Sequence, residues 1–168
     1  HFLPMSMGGR SGDIFEAWTL LAALAQATTR VRIGTLVTGN LYRHPGVLAK
    51  MAVTVDHLSG GRLEMGIGAG GDDAADRMLG IPAAPARLRI ERLDEACQVL
   101  KLLWTAPESS FDGAHYRLSA ALADPKPVQC PGPPVWIGSS GERHGLRVVA
   151  RHADVWLNAA LPGTGIPE

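Results

Sequence analysis

The stretch Arg62–Gly71, RLEMGIGAGG, sets Gly66, Gly68 and Gly71 in the spacing G-x-G-x-x-G. Between a strand and a helix, that spacing turns the backbone tightly around a pyrophosphate and marks NAD(P)-binding folds. A second small-residue group, Gly138-Ser139-Ser140-Gly141, precedes Glu142, Arg143 and His144. Small residues whose N–H groups open a helix make an anion site. This group is not a nucleophile elbow, because G-x-S-x-G would need glycine at position 142. The six histidines are scattered and none pairs with another at helical ligand spacing, so no metal site is expected. The two cysteines, Cys97 and Cys130, read as a buried small hydrophobe and a loop thiol. Nothing calls for a disulfide, which fits a reducing cytosol.

The elements that must position these groups follow from apolar periodicity. SGDIFEAWTLLAALAQATTR reads as a helix, with Asp13 three residues before Glu16 in the manner of a capping box. VRIGTLV (31–37) is short, apolar and β-branched, as a strand buried on both faces is. Pro45 sits where a helix begins, and Ser59-Gly60-Gly61 ends it. RLEMGIG is a second strand, and a Gly/Asp/Ala-rich loop leads to a long helix near 87–104. FDGAHYRL carries an Asp-Gly hairpin signal, and the proline-rich run 125–134 is a surface connector. PVWIG is a third strand, 143–152 a helix, and DVWLN a fourth strand. Strands alternating with helices imply an α/β fold with a parallel sheet. Trp18, Trp104, Trp136 and Trp156 lie in apolar patterns and are expected in the core.

That context weighs against a dinucleotide fingerprint. The third glycine of such a motif lies inside the first turn of a helix, and an acidic residue ends the next strand about twenty residues on. Here Gly71 is followed by DDAADRMLGIPAAPAR, with no sustained apolar stripe, and Glu91 falls inside a helical pattern. Loops at the carboxyl ends of several successive strands instead suit a TIM-type barrel.

Bulk properties narrow the classes further. A chain of 168 residues with 46% hydrophobic residues is one domain able to bury a core. Sixteen basic side chains balance sixteen acidic ones, so nucleic acid is not an expected partner. No apolar run approaches the roughly 20 residues of a membrane span, and no secretory leader stands at the start, so a cytoplasmic protein is expected.

Two blocks carry a family resemblance. RVRIGTLVTGNLYRHPGVLAKMAVTVDHLSGGRLEMGIGAG holds a strand, an R-H-P helix start, a D-x-L-S-G-G-R-L stop and a G-x-G-x-G strand end. PVWIGSSGERHGLRVVARHADVWLN adds a later strand, a phosphate loop and an A-R-x-A-D-x-W-type element. With ERLDEACQVLKLLWT and FDGAHYRL, they resemble the luciferase-like monooxygenase superfamily of flavin and deazaflavin oxidoreductases. The resemblance implies a (β/α)8 TIM barrel binding coenzyme F-420 or FMN at its C-terminal mouth. Only about four of the eight strands are visible, so the expectation is the central part of a barrel, with a small insertion at about 105–134. Open strand edges would favour a homo-oligomer.

The resemblance also implies roles. His1 matches a histidine assigned in some members as a proton donor near the reactive carbon of the deazaflavin. Leu36 and Val37 match a bulge carrying a non-proline cis peptide against the ring, which places Thr38 beside it. Gly68, Ala69 and Gly70 match a wall where backbone approaches the cofactor. Gly138, Ser139, Ser140, Gly141, Arg143 and His144 match the phosphate loop. Gly71 stands where some deazaflavin dehydrogenases have a catalytic Glu, which argues against sugar-phosphate dehydrogenation by that base. The implied activity is hydride transfer between F-420 and a small organic substrate, with FMN as the alternative cofactor. An inactive partial barrel and an NAD(P)-binding Rossmann-type dehydrogenase are the rival readings.

Overall fold

The computed structural model describes residues 13–71, 73–139 and 144–158. Helix α1 (Ala17–Ala27) is capped by Glu16, whose carboxylate accepts from Trp18 N and Thr19 N; the cap is therefore not Asp13. One acidic side chain takes two of the donors that a helix start leaves unpaired. The stretch expected as one strand is broken into β1 (Ile33–Gly34) and β2 (Thr38–Gly39). A short 3-10 turn, Asn40–Tyr42, leads into helix α2 (Pro45–Ser59). Pro45 opens α2, and Gly60, at φ 63°, closes it in the left-handed conformation that a Cβ disfavours. Strand β3 (Leu63–Gly68) follows.

After β3 the expected loop contains a helix of six residues, α3 (Asp73–Met78), and then comes α4 (Ala86–Thr105). The Asp-Gly signal does mark a hairpin, β4 (Ser109–Asp112) against β5 (Arg117–Ala121), antiparallel. A proline-rich connector leads to β6 (Val135–Gly138), α5 (Gly145–His152) and β7 (Val155–Leu157).

The main sheet is parallel in the order β1-β3-β6-β7, with β2 also on β3. Each crossover moves one strand across in the same direction. A doubly wound dinucleotide fold reverses its strand order at a switch point, and no reversal occurs among the described residues. The sheet is instead an arc of a barrel, with helices on its outer face. Leu63, Met65 and Ile67 of β3 pack outward with Val135 and Ile137 of β6 into the core that α1, α2 and α4 cover. Trp18 and Trp104 are buried there, whereas Trp156 is 48% exposed, contrary to the core expectation. It stands on β7, the last described strand, and its indole N–H donates to Ser139 O at 2.9 Å. No helix among the described residues is long and apolar enough to cross a membrane.

Two polar groups, one half-buried and one buried, lock this arc. Arg62 Nη1 and Nη2 donate to Val31 O, Ala25 O and Thr28 O, and its Nε donates to Ser59 O, so one guanidinium ties the end of α1 to the end of α2. Asp56, fully buried, accepts from Gln129 N at 3.0 Å and Gln129 Nε2 at 2.8 Å, pinning the connector beneath β3.

Candidate functional site

Register locates the site. Gly34 pairs with Glu64 but Thr38 pairs with Ile67, so four steps along one strand match three along the other. The extra residue is a bulge, and a bulge re-aims the side chains that follow it. The Leu36–Val37 peptide within it is cis. Because of the shift, Thr38 shares the outward face of Ile67 while Val37 turns toward the glycines of β3 and β6. A Cβ on Gly68 would lie 2.8 Å from Val37 Cγ2, one on Gly138 3.2 Å from the same atom, and one on Gly66 3.3 Å from Val37 Cγ1. These three glycines are therefore the seat of Val37.

A row of glycines then crosses the sheet. Gly39, Gly68 and Gly138 stand in register at the C-terminal ends of β2, β3 and β6. Beside them Leu36 is 78% exposed despite its apolar side chain. Gly39 and Gly68 are themselves buried, under Tyr42 and Val37, so the apolar surface left open is that of Leu36 and half-buried Val37.

Other expected residues fall differently. Thr38, expected beside a ring, is only 5% exposed, and its hydroxyl accepts from Trp18 Nε1 and Arg43 Nη1, each at 3.4 Å. The bulge is the reason, since it hands Thr38 to the helix side. Arg43 in turn pairs with Glu16. Partial burial pushes the Glu16 carboxyl up, but hydrogen bonds from Thr19 and Trp18 together with the Arg43 charge outweigh it and leave the group below its ordinary value. Gly70, expected as open wall, has φ 77°, and Leu41 occupies the space its side chain would take; Gly71, at φ 133°, is covered by Arg89 in the same way. Ala69 is partly buried against the core. Ser139 N donates to Leu157 O at 3.1 Å, and its side chain lies against Gly145, where α5 begins. His144 precedes α5 without capping it through its side chain. His1, Ser140, Gly141 and Arg143 lie outside the described residues.

A groove of about 290 Å³ runs between α1 and the β1–β2 stretch, lined by Leu20, Leu21, Leu24 and Leu36 with Thr38 and Arg43. It follows the edge of the sheet where, among the described residues, β1 pairs only with β3. Among the described residues no group of His, Cys, Asp and Glu converges as a metal site.

One feature of the mouth gave no motif signal. Tyr116, at the tip of the β4–β5 hairpin, accepts from Asn40 Nδ2 at 3.2 Å, and its ring meets that of His44 edge-on at 5.4 Å. Burial raises the Tyr116 hydroxyl pKa, against a smaller lowering by the Asn40 bond. Such a contact joins residues 76 apart in sequence, which local spacing cannot reveal.

The family model described as luciferase-like monooxygenase matches residues 1–166. The chain belongs to that family. An uncharacterized protein of Mycobacterium tuberculosis is 37% identical over 144 residues, covering 84% of this chain and 49% of its own length. An F-420-dependent glucose-6-phosphate dehydrogenase of Microbacterium testaceum is 32% identical over 161 residues, 95% of this chain and 46% of that protein. The chain thus spans about half the length of the curated relatives it matches. Among solved structures, a monooxygenase of Streptomyces bottropensis superposes with a TM-score of 0.72 at 26% identity, over 81% of this chain and 40% of that one. A Baeyer–Villiger monooxygenase of Pseudomonas putida, solved with FMN, shares the fold at a TM-score of 0.70 and 21% identity, over 85% of this chain and 42% of that one. The relative from Microbacterium testaceum is thus a deazaflavin-dependent protein, the FMN-bound structure shares the fold, and that fold is the TIM-barrel arc that the sheet order describes.

Proposed function

We propose that this protein is an oxidoreductase that holds coenzyme F-420, with FMN as the alternative, across the C-terminal ends of β2, β3 and β6, and moves hydride between its ring and a small organic substrate. The observation that carries this reading is the in-register row Gly39, Gly68 and Gly138 beside seated Val37 and exposed Leu36. A tricyclic ring needs a flat apolar surface, and Val37 lying flat on the glycine row next to exposed Leu36 suits it. Bound there, such a group supplies a carbon or nitrogen centre that accepts or gives hydride.

This chain's own residues bind and orient. Val37, fixed by three glycines, backs the ring, while Leu36 covers apolar surface and excludes water. Thr38, held by Trp18 and Arg43, fixes the backbone leaving the bulge. Gly68, Ala69 and Gly70 flank the ribityl chain, and Gly138, Ser139, Ser140, Gly141, Arg143 and His144 hold the phosphate. His1 is the proton donor of the proposal. F-420 is favoured because the F-420-dependent relative is similar over 95% of this chain.

Fluorescence titration of the protein with F-420, FMN and NADPH tests the reading. Saturable binding of F-420 or FMN is expected. Tight NADPH binding with no response to either of the others refutes it.

A further inference from the structure

The insertion hairpin reaches the mouth. Glu95 on α4 accepts the N–H groups of Ala114, His115 and Tyr116 at 2.8, 2.9 and 3.0 Å, so one carboxylate fixes the whole hairpin tip. Three charge-assisted bonds to one group leave that tip little freedom. From it, the Tyr116 hydroxyl meets Asn40, which directly follows β2 and stands three residues after Val37. Asn40 is only 3% exposed, and among the described residues its Oδ1 is buried with no hydrogen-bond partner. A buried amide with one atom already unpaired depends heavily on the bond it does make. The Tyr116 ring also stands edge-on to His44, whose Nδ1 accepts from Gly46 N at 3.1 Å at the start of α2. Both ends of the mouth loop thus rest on one tyrosine.

We infer that Tyr116 and Asn40 are positioning residues for the cofactor, through which the β4–β5 hairpin braces the loop that carries Val37. Neither side chain is placed against the ring. Their contact sets where the loop after the bulge lies, and therefore how firmly Val37 stays on Gly66, Gly68 and Gly138. The inference rests on the proposed flavin or deazaflavin reading. It goes further by giving the hairpin a task at the mouth rather than at the helix it lies against.

The test uses the full protein and whichever of F-420 or FMN it binds, with dissociation constants taken by fluorescence well below each variant's unfolding midpoint. Asn40→Ala and Tyr116→Phe are each expected to weaken binding about fivefold, as loss of one partly buried hydrogen bond does. The double variant is expected to show about the same fivefold loss, since both changes remove one shared contact. Tyr116→Phe keeps the ring on His44, so it decides the matter even where Asn40→Ala does not fold. Thr28→Ala, which removes a bond to Arg62 far from the mouth, is expected to lower stability and leave the dissociation constant unchanged. Wild-type affinity in Tyr116→Phe, or losses that multiply to about 25-fold in the double variant, would overturn the inference. Failure of the unmodified protein to bind either cofactor is a different result, and it overturns the underlying reading and this inference together.

Discussion

Gly68→Ala is the sharpest perturbation of the Val37 seat. The added methyl would lie 2.8 Å from Val37 Cγ2, against an ordinary carbon–carbon separation of about 3.5–4.0 Å. Val37 is a β-branched residue with one soft side-chain torsion, so it has little room to turn aside. Overpacking of this kind costs about 1–3 kcal/mol, which for a chain of this size lowers the unfolding midpoint by roughly 2–12 °C. Val37→Ala alone removes two half-buried methyls and costs about 1–2 kcal/mol. In the double variant the atom that the new methyl meets has gone, so the added cost of Gly68→Ala is expected to fall below about 0.5 kcal/mol. Urea unfolding with an unchanged slope gives each value. Gly66→Ala is the contrast: its methyl meets the Thr35 carbonyl oxygen, which is backbone, so Val37→Ala is expected to bring no relief. If the costs of Gly68→Ala and Val37→Ala simply add, Val37 is not seated on that glycine and the account of the site fails.

Further outcomes follow from individual contacts. Glu95→Gln is expected to expose the amides of residues 114–116 to hydrogen exchange while β3 and β6 stay protected, because only the hairpin tip depends on that carboxylate. Arg62→Lys is expected to cost about 2 kcal/mol in chemical denaturation, since an ammonium cannot reach the carbonyls of Ala25, Val31 and Ser59 together. Burial pushes the Cys97 thiol up to about 12, while Cys130 is exposed. One thiol is therefore expected to react with a disulfide reagent in the folded protein at pH 8 and two in denaturant; two of equal rate in the folded state would contradict the burial. The raised Cys97 value carries a sign for stability as well. Its contribution is complete below the unfolded thiol's value of 9.0 and is lost as pH climbs toward about 12, because only the unfolded chain releases the proton in that window.

What the sequence revealed, it revealed where one local rule governed the outcome. Pro45 and Gly60 bound α2 where their chemistry requires, and the apolar run of β3 is a buried strand. The Asp-Gly signal found its hairpin. Legibility failed where a distant neighbour chose between local options. Glu16 caps α1 in place of Asp13, and the same carboxylate also pairs with Arg43. The stretch 31–37 has the composition of one strand, and the bulge that its register against β3 shows was implied by the family resemblance at Leu36 and Val37, not by composition. Helix α3 has no apolar stripe to announce it; of its residues Asp76 accepts a hydrogen bond from Tyr42. Trp156 matched an apolar pattern, but its strand is the last described in the sheet, and half of the side chain stays open.

The spacing G-x-G-x-x-G acquires its meaning from the same distinction. Gly66 and Gly68 are two apart because alternate residues of a strand share one face, and on that face both lie under Val37. Gly71 belongs to the exit turn, where φ 133° and the cover of Arg89 each exclude a side chain. Two glycines under Val37 and a third under Arg89 thus reproduce a pattern that, in a dinucleotide fold, answers to one pyrophosphate. What separates the two cases is the path of the sheet: among the described residues the strands step from β1 to β3 to β6 to β7 without reversal, so none of them opens a switch-point crevice. Any ligand at these strand ends must then be met by loops converging on a barrel mouth. That geometry is why the glycine row, and the tyrosine that braces its neighbouring loop, carry more functional information than the motif they happen to spell.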